Sequence, residues 1–187
     1  MSWFVALPID RQTALRVLAA AGEPPPSTEL LAPEDLHLTI AFLGRVDEEH
    51  ARAGFAALAW PLGPTTATLA DVTPMGTPDR FSALAAHLEV GRAPIESAMR
   101  AARGAVFDAA AVEHERRSPL AHLTIARVRT KAPPAVRLAA IEWARRARLR
   151  GLELKLGSVA LLAPFEAEVR GDLGARRRYR IVAERPA

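Results

Sequence analysis

The sequence contains no cysteine, few aromatic side chains and no long apolar run. The absence of cysteine excludes disulfides, thiolate nucleophiles and zinc sites built on cysteine. Because 5% of the residues are aromatic and 50% are hydrophobic, the core must consist mainly of Ala, Leu, Val and Ile. No apolar run approaches the roughly 20 residues that a transmembrane helix needs. A globular protein that does not cross a membrane is therefore expected.

Length and charge set further limits. A chain of 187 residues fits one domain or two small fused lobes. The first ten residues lack the basic region of a signal peptide and instead predict a first strand, so a cytoplasmic location is expected. With 25 basic and 21 acidic residues, the net charge is +4. This charge permits an anionic ligand without requiring one.

Periodicity and capping signals predict the same order of elements in each half, strand–helix–strand–helix–strand. Asp10 and Asp47 are expected to cap the two helices of the first half. In the second half, helices are expected over 95–106 and from Pro133 towards Arg148. The predicted strands are 3–7, 36–43, 66–72, 81–85, 122–128 and 152–156, with one more at 176–183.

One five-residue segment occurs twice. His37–Ala41 and His122–Ala126 both read His-Leu-Thr-Ile-Ala, so position 37 of the first half corresponds to position 122 of the second. Two copies are too few for a repeat array, but they indicate an internal duplication. We therefore predict one domain made of two pseudo-symmetric lobes, about 1–76 and 77–187, with strands exchanged between the lobes as a possibility.

Two weaker marks accompany this repeat. Leu69 and Leu154, in the third predicted strand of each half, are separated by the same offset as the two histidines. A Phe-x-Ala-Leu match begins at Phe4 and at Phe81, but its offset is smaller and its residues are common. Leu69 and Leu154 are interpreted as equivalent positions of the two halves. The Phe-x-Ala-Leu match is as often a chance similarity as a mark of the duplication.

The repeated segment separates reactive from packing residues. Side chains alternate across a strand, so His37 and Thr39 share one face, while the Leu and Ile of the segment share the other. His122 and Thr124 follow the same rule. Core packing explains a repeated Leu and Ile but gives no reason to repeat the His and Thr. If the lobes face each other, two imidazoles and two hydroxyls point into one cleft.

That set of groups suits phosphodiester chemistry. Imidazole has an ordinary pKa of about 6.5, so near neutral pH one ring can accept a proton from water while the other donates one to a departing sugar oxygen. The hydroxyls can donate hydrogen bonds to phosphate oxygens as charge develops on them. No metal ion and no cofactor are required, and none is expected.

The paired segments and the residues after them resemble a known family. Phe42–Gly44 follow the first segment and Arg127 follows the second. With the opening Phe4–Leu7 and with Leu156–Ser158, these segments resemble the two-histidine (2H) phosphoesterase superfamily. Within it, the chain is most similar to the RNA 2′,3′-cyclic phosphodiesterases, also called 2′–5′ RNA ligases. The second motif of that family commonly has Pro before the histidine, where this chain has Ala121.

The resemblance implies a bilobal α+β fold, with two antiparallel-rich sheets lining a central groove and helices outside. It implies that His37 and His122 are catalytic, with His37 donating a proton to the 3′ oxygen and His122 acting as the base for water. Thr39 and Thr124 would hold the phosphate. It also implies that Arg127 contacts substrate, although strand alternation predicts that Arg127 points away from His122 and Thr124.

Three functions remain open at this point. The first is hydrolysis of RNA 2′,3′-cyclic phosphate ends to 2′-phosphates, and the second is the reverse, 2′–5′ ligation. A related hydrolase acting on a small cyclic nucleotide or on ADP-ribose cyclic phosphate belongs with the first. The third is nucleotide binding without turnover, which the intact His and Thr pairs disfavour. The expected ligands are RNA ends or nucleoside cyclic phosphates, and a monomer without an obligate protein partner is expected.

The remaining charged groups are interpreted mainly as structural or solvated. His50, His87 and His114 lack metal-ligand spacing, although the last two could border the groove. Arg145–Arg150 end a predicted helix, where cations suit the helix dipole. A phosphate-backbone path is the alternative for that run and for Arg176–Arg178.

Overall fold

The computed structural model describes residues 2–170 and 176–187. Within these residues the chain forms nine strands and four α-helices. The strands are β1 Trp3–Pro8, β2 Thr28–Leu30, β3 His37–Gly44, β4 Thr65–Pro74, β5 Ala83–Leu88, β6 His122–Val128, β7 Glu153–Leu156, β8 Ser158–Arg170 and β9 Arg176–Pro186. The helices are α1 Arg11–Ala21, α2 Glu48–Ala57, α3 Arg92–Ala109 and α4 Pro134–Arg146.

The strands form two antiparallel sheets. One has the order β3-β1-β8-β9 and the other has the order β2-β6-β5-β4-β7. The two copies of the repeated segment therefore lie in strands of different sheets. β3 pairs with the apolar strand β1, and β6 pairs with the alanine-rich strand β5. The α+β class and the antiparallel sheets agree with the prediction.

Side chains at the helix ends explain where the first two helices begin. The Asp10 carboxylate accepts a hydrogen bond from the Thr13 N–H, and the Asp47 carboxylate accepts one from the His50 N–H, at 2.9 Å in both cases. Each therefore satisfies a backbone donor that the first helical turn leaves free. Both predicted caps are confirmed.

Strands cross between the two halves of the sequence. β2 and β4 precede residue 76 but belong to the sheet of β5 and β6, whereas β8 and β9 join β1 and β3. The interpretation of Leu69 and Leu154 as equivalent positions is wrong, because β4 and β7 are neighbours in one sheet and pair Ala67 with Leu154. The division into lobes at about residue 76 stays a prediction.

The register also excludes the Phe-x-Ala-Leu match as a repeat. Phe4 pairs with Phe42, and Ala83 pairs with Arg127. Because Phe42 and Arg127 each follow their copy of the repeated segment at the same distance, the position equivalent to Phe4 is Ala83. Phe81 lies before β5 and is fully buried instead.

The core is continuous across both sheets and is built from small and aliphatic side chains, as the composition predicts. Val5, Leu7, Leu38, Leu123 and Ile125 are among its fully buried members. Burial of these residues fixes β1, β3 and β6, so the opposite faces of β3 and β6 are held in place. Among the described helices, none is both long and apolar enough to cross a membrane.

Candidate active site

The two repeated segments are brought together. Each begins its strand at the histidine, and β3 contacts β6 although the two strands belong to different sheets. His37, Thr39, His122 and Thr124 are partly exposed, whereas the Leu and Ile between them are buried. The predicted separation into reactive and packing faces is therefore what the strands adopt.

Both histidine rings are held in the same way. His37 Nδ1 lies 2.7 Å from the Asp35 carbonyl oxygen, and His122 Nδ1 lies 2.7 Å from the Leu120 carbonyl oxygen. A carbonyl oxygen only accepts, so Nδ1 carries the proton and donates it to that oxygen. In each neutral ring the lone pair is consequently on Nε2. The duplication thus repeats the orientation and the tautomer as well as the residue type.

Aromatic side chains surround His37. The Phe4 ring stacks on the imidazole at a centroid distance of 4.7 Å, and the Tyr179 ring meets it edge-on at 5.7 Å. Burial lowers the pKa of His37 to about 4; the Asp35 carbonyl opposes this shift, and the positive charges of His122 and Arg127 add to it. His37 is therefore neutral near pH 7 when no anion is bound.

Asp35 connects β9 to the segment that carries His37. Its buried carboxylate accepts hydrogen bonds from the N–H groups of Arg178, at 2.7 Å, and Tyr179, at 3.1 Å. The β8–β9 register is irregular between Pro164 and Val169, next to these two residues. Burial raises the pKa of Asp35, and the two N–H donors counteract this effect. No local pattern predicts this role, because the contact joins opposite ends of the chain.

His87 lies beside His122, directly opposite it in the β5–β6 register. The ring centroids are 6.5 Å apart, and His87 Nδ1 is buried without a hydrogen-bond partner among the described residues. Burial lowers the pKa of His87, and His122 and Arg92 add to the effect. A neutral third imidazole therefore borders the His122 side of the groove, which is the less expected of the two outcomes considered for His87 from the sequence.

The departure at Ala121 has a structural counterpart. The Ala121 N–H, which a proline would lack, donates to Glu96 Oε1 at 3.0 Å. Glu96 also accepts from Arg92 Nε at 2.9 Å. This carboxylate on α3 thus fixes the backbone immediately before His122.

A bulge in each segment changes which residues face the groove. In β3 the register skips Ile40, since Ala6 pairs with Thr39 and Val5 with Ala41. In β6 it skips Ile125 in the same way, between the pairs of Thr124 and Ala126. An extra residue in one strand reverses the alternation beyond it.

The bulges bring residues 42 and 127 to the groove side. Beyond the two consecutive buried residues, Phe42 is 49% exposed and Arg127 is partly exposed. Arg127 therefore shares the face of β6 that carries His122 and Thr124, and its charge contributes to the lowered pKa of His37. The prediction from simple alternation that Arg127 points away is therefore wrong. Of the two equivalent positions, one offers a cation and the other an exposed aromatic ring.

The described residues contain no group of three or more His, Asp or Glu side chains placed to hold a metal ion. His50 and His114 are exposed and form hydrogen bonds with Asp47 and Asp108, respectively, each on or beside its own helix. The described polar groups at the groove are the two oriented imidazoles, with His87 beside one of them, two hydroxyls and one guanidinium. Such a set can accept a proton, donate a proton and bind an anion.

No protein-family model and no curated protein matches the sequence, whereas solved structures match its fold over nearly the whole chain. TT0787 of Thermus thermophilus has a TM-score of 0.64 and 21% identity, covering 100% of this chain and 97% of that one. E. coli LigT complexed with 3′-AMP has a TM-score of 0.64 and 19% identity, covering 98% and 96%. A protein described as a phosphoesterase gives the same four values as LigT.

These likenesses define the fold. The chain has the LigT-like α+β architecture of two antiparallel sheets and four helices, which is the fold that the sequence resemblance implies. The predicted fold class is confirmed.

Proposed function

We propose that the protein is a two-histidine phosphoesterase that hydrolyses 2′,3′-cyclic phosphates at RNA ends to 2′-phosphates without a metal ion. The observation that carries the proposal is the matched pair of Nδ1 contacts at His37 and His122, each 2.7 Å from a backbone carbonyl oxygen. Two rings held in one tautomer leave two Nε2 atoms free for proton transfer. The LigT-like fold supports a nucleotide as the ligand, since the crystal structure of E. coli LigT is that of a complex with 3′-AMP.

The proposed reaction is a single displacement at phosphorus. Water attacks the phosphorus atom while one imidazole removes its proton, and the bond between phosphorus and the 3′ oxygen breaks. The other imidazole protonates the departing 3′ oxygen, which gives a 3′-hydroxyl and a 2′-phosphate. Thr39, Thr124 and Arg127 donate hydrogen bonds to the non-bridging oxygens, where negative charge accumulates.

The proposed proton donor is His37 and the proposed base is His122, as the resemblance implies. The low pKa of His37 means that the ring takes up its proton together with the anionic substrate, because a phosphate beside it favours the imidazolium. The hydrogen bond from Nδ1 to the Asp35 carbonyl also favours the charged ring.

Product analysis tests the proposal. Purified protein in EDTA is incubated with nucleoside 2′,3′-cyclic phosphates, oligonucleotides with cyclic ends and ADP-ribose 1″,2″-cyclic phosphate, and the products are separated by chromatography. We expect nucleoside 2′-phosphates or oligonucleotides ending in a 2′-phosphate. A 3′-phosphate product, or loss of activity in EDTA that added metal restores, would contradict the proposed reaction.

The same geometry also supports the reverse reaction, 2′–5′ ligation. The acid of one direction is the base of the other, and the two rings are held identically. RNA halves bearing a cyclic phosphate and a 5′-hydroxyl distinguish the two directions. Joined product at a rate comparable to hydrolysis would favour the ligase.

The pH dependence of kcat/KM follows from the pKa of His37. A reaction that needs one charged and one neutral imidazole gives a bell-shaped profile with a limb at each pKa. Because burial lowers the pKa of His37 to about 4, we expect the acid limb near that pH rather than near 6.5. The expected shape is the same whichever ring is the base.

Exposing the His37 ring to water should move the acid limb of the pH profile of kcat/KM. Phe4→Ala removes the stacked ring and admits water, so the acid limb should shift towards 6.5. Phe42→Ala is the matched control, since Phe42 is exposed and forms no ring contact with His37 among the described residues. An acid limb near 6.5 in the unmodified protein, or equal shifts in both variants, would contradict the assignment of the limb to His37.

A further inference from the structure

A cavity lies at the end of β6 opposite to His122, beside Arg127. It has a volume of about 470 Å³ and lies between β2, the end of β6 and the start of β9. Arg127 and Arg129 of β6 and the loop after it line the cavity on one side, and Arg176 and Arg178 of β9 line it on another. Arg127 lies on β6, the strand that begins at His122, so this strand connects the histidine pair with the cavity.

The cavity is strongly positive. Among the residues that the structure describes, four guanidinium groups line it, against one carboxylate, that of Glu29. Glu29 accepts a hydrogen bond from Arg178 at 2.8 Å, so the negative charge of Glu29 is paired with one of the four arginines. Arg129 and Arg176 are exposed. Four guanidinium groups against one carboxylate favour a phosphate group over a neutral ligand.

Unused donors lie at its wall. Thr28 is 8% exposed and lines the cavity, yet its Oγ1 has no hydrogen-bond partner among residues 2–170 and 176–187. Arg178 Nε is likewise buried and unpartnered within that part of the chain. A buried polar atom without a partner destabilises the folded protein unless something else supplies the hydrogen bond. A phosphate oxygen in the cavity would accept from either donor once its side chain turns towards the ligand.

We propose that this cavity binds a second phosphate of the substrate, namely the phosphodiester that precedes the terminal nucleoside of an RNA with a cyclic end. This inference rests on the proposed function, because the cavity acts on a substrate whose reacting phosphate lies between His37 and His122. The protein should therefore prefer an oligonucleotide with a cyclic end over a mononucleoside cyclic phosphate. The diphosphate of ADP-ribose 1″,2″-cyclic phosphate offers similar chemistry, and the test includes it.

The first experiment compares kcat/KM for a mononucleoside cyclic phosphate, a dinucleotide with a cyclic end and ADP-ribose 1″,2″-cyclic phosphate. We expect Arg129→Gln and Arg176→Gln each to lower kcat/KM for the dinucleotide about 10-fold, as loss of a charge-assisted hydrogen bond would. Activity on the mononucleoside cyclic phosphate should stay within about twofold. Each variant should also weaken the salt dependence of kcat/KM for the dinucleotide, because one contact between a cation and a phosphate is lost.

Two further variants sharpen the result. Arg146→Gln is the control, since Arg146 is an exposed arginine in the last turn of α4, and no change is expected. Thr28→Val replaces the unpartnered hydroxyl by a methyl group, so it should leave Tm unchanged or raise it while lowering kcat/KM for the dinucleotide alone. Equal losses on mononucleoside and dinucleotide in the arginine variants would overturn the proposal, as would equal kcat/KM for both substrates in the unmodified protein. A loss confined to ADP-ribose cyclic phosphate would also overturn it, since the second phosphate would then not be that of RNA.

A binding measurement separates this inference from the proposed reaction. In His122→Ala, the affinity for the cyclic-ended dinucleotide should exceed that for the mononucleoside, and Arg129→Gln should abolish the difference. If no cyclic phosphate is hydrolysed by the unmodified protein but this difference is found, the reaction is wrong and the cavity assignment is supported. If hydrolysis occurs without any difference in affinity, the reaction is supported and the cavity assignment is overturned.

Discussion

His37→Ala and His122→Ala should each lower kcat/KM for a 2′,3′-cyclic phosphate by about 10²–10⁴-fold, the usual contribution of a positioned general acid or base. Either substitution removes one of the two imidazole rings. In each ring, the hydrogen bond from Nδ1 to a backbone carbonyl oxygen leaves Nε2 available for proton transfer. His50→Ala is the control, because the His50 ring is on the exposed surface of α2 and pairs only with Asp47 among the described residues. Steady-state rates with circular dichroism spectra of each variant provide the measurement.

The double variant should be little worse than either single one. Residues that act in one step fail together, so their effects are far from additive. Retention of more than a tenth of the activity in His37→Ala or in His122→Ala would contradict two-histidine catalysis. So would a double variant whose loss equals the product of the two single losses, because the two rings would then act independently.

A substrate with a better leaving group assigns the two roles. In a cyclic phosphorothiolate with sulfur in place of the 3′ oxygen, the sulfur departs as a thiolate. This leaving group needs little protonation. His37→Ala should therefore recover most of its lost rate on this substrate, whereas His122→Ala should not. Recovery in His122→Ala instead would reverse the assignment and make the neutral His37, with its pKa of about 4, the base.

Much of the fold and the centre of the site follow from local patterns in the sequence. The alternation in His37–Ile40 and His122–Ile125 predicts which side chains are buried, since Leu and Ile are the only residues there with no polar group to solvate. Asp10 and Asp47 predict helix starts because capping is a contact over three residues. These predictions need no knowledge of partners far away in the chain.

Local patterns did not predict features that depend on how strands pair or strands that are too short to show a period. No strand was predicted over β8, where an apolar run with Pro164 inside it resembles a strand interruption. β2 has three residues, too few to show a period. The bulges at Ile40 and Ile125 exist only relative to β1 and β5, so Arg127 could not be placed by counting along its own strand. The exchange of β4 and β8 between sheets is likewise a matter of pairing.

Asp35→Asn should destabilise the protein and disturb the site at once. The carboxylate accepts from two N–H groups, and an amide offers one acceptor oxygen and turns its NH₂ towards the other donor. Leaving a buried N–H unpaired costs about 1–3 kcal/mol, so the free energy of unfolding should fall by about that amount. Urea denaturation measures it, with Asp71→Asn as the control, since Asp71 is an exposed acid paired with Arg150 and its replacement should leave the midpoint unchanged.

The effect of Asp35→Asn on catalysis shows whether Asp35 positions groups at the active site or only stabilises the fold. The two N–H groups belong to Arg178 and to Tyr179, whose ring packs edge-on against His37 at a centroid distance of 5.7 Å. Loosening β9 should let water reach the imidazole, so the acid limb of kcat/KM should move from near pH 4 towards 6.5. Arg178 also lines the basic cavity, so the preference for a dinucleotide should weaken in the same variant. A variant that unfolds at lower urea but keeps both the acid limb and the substrate preference would show that Asp35 stabilises β9 without positioning anything at the site.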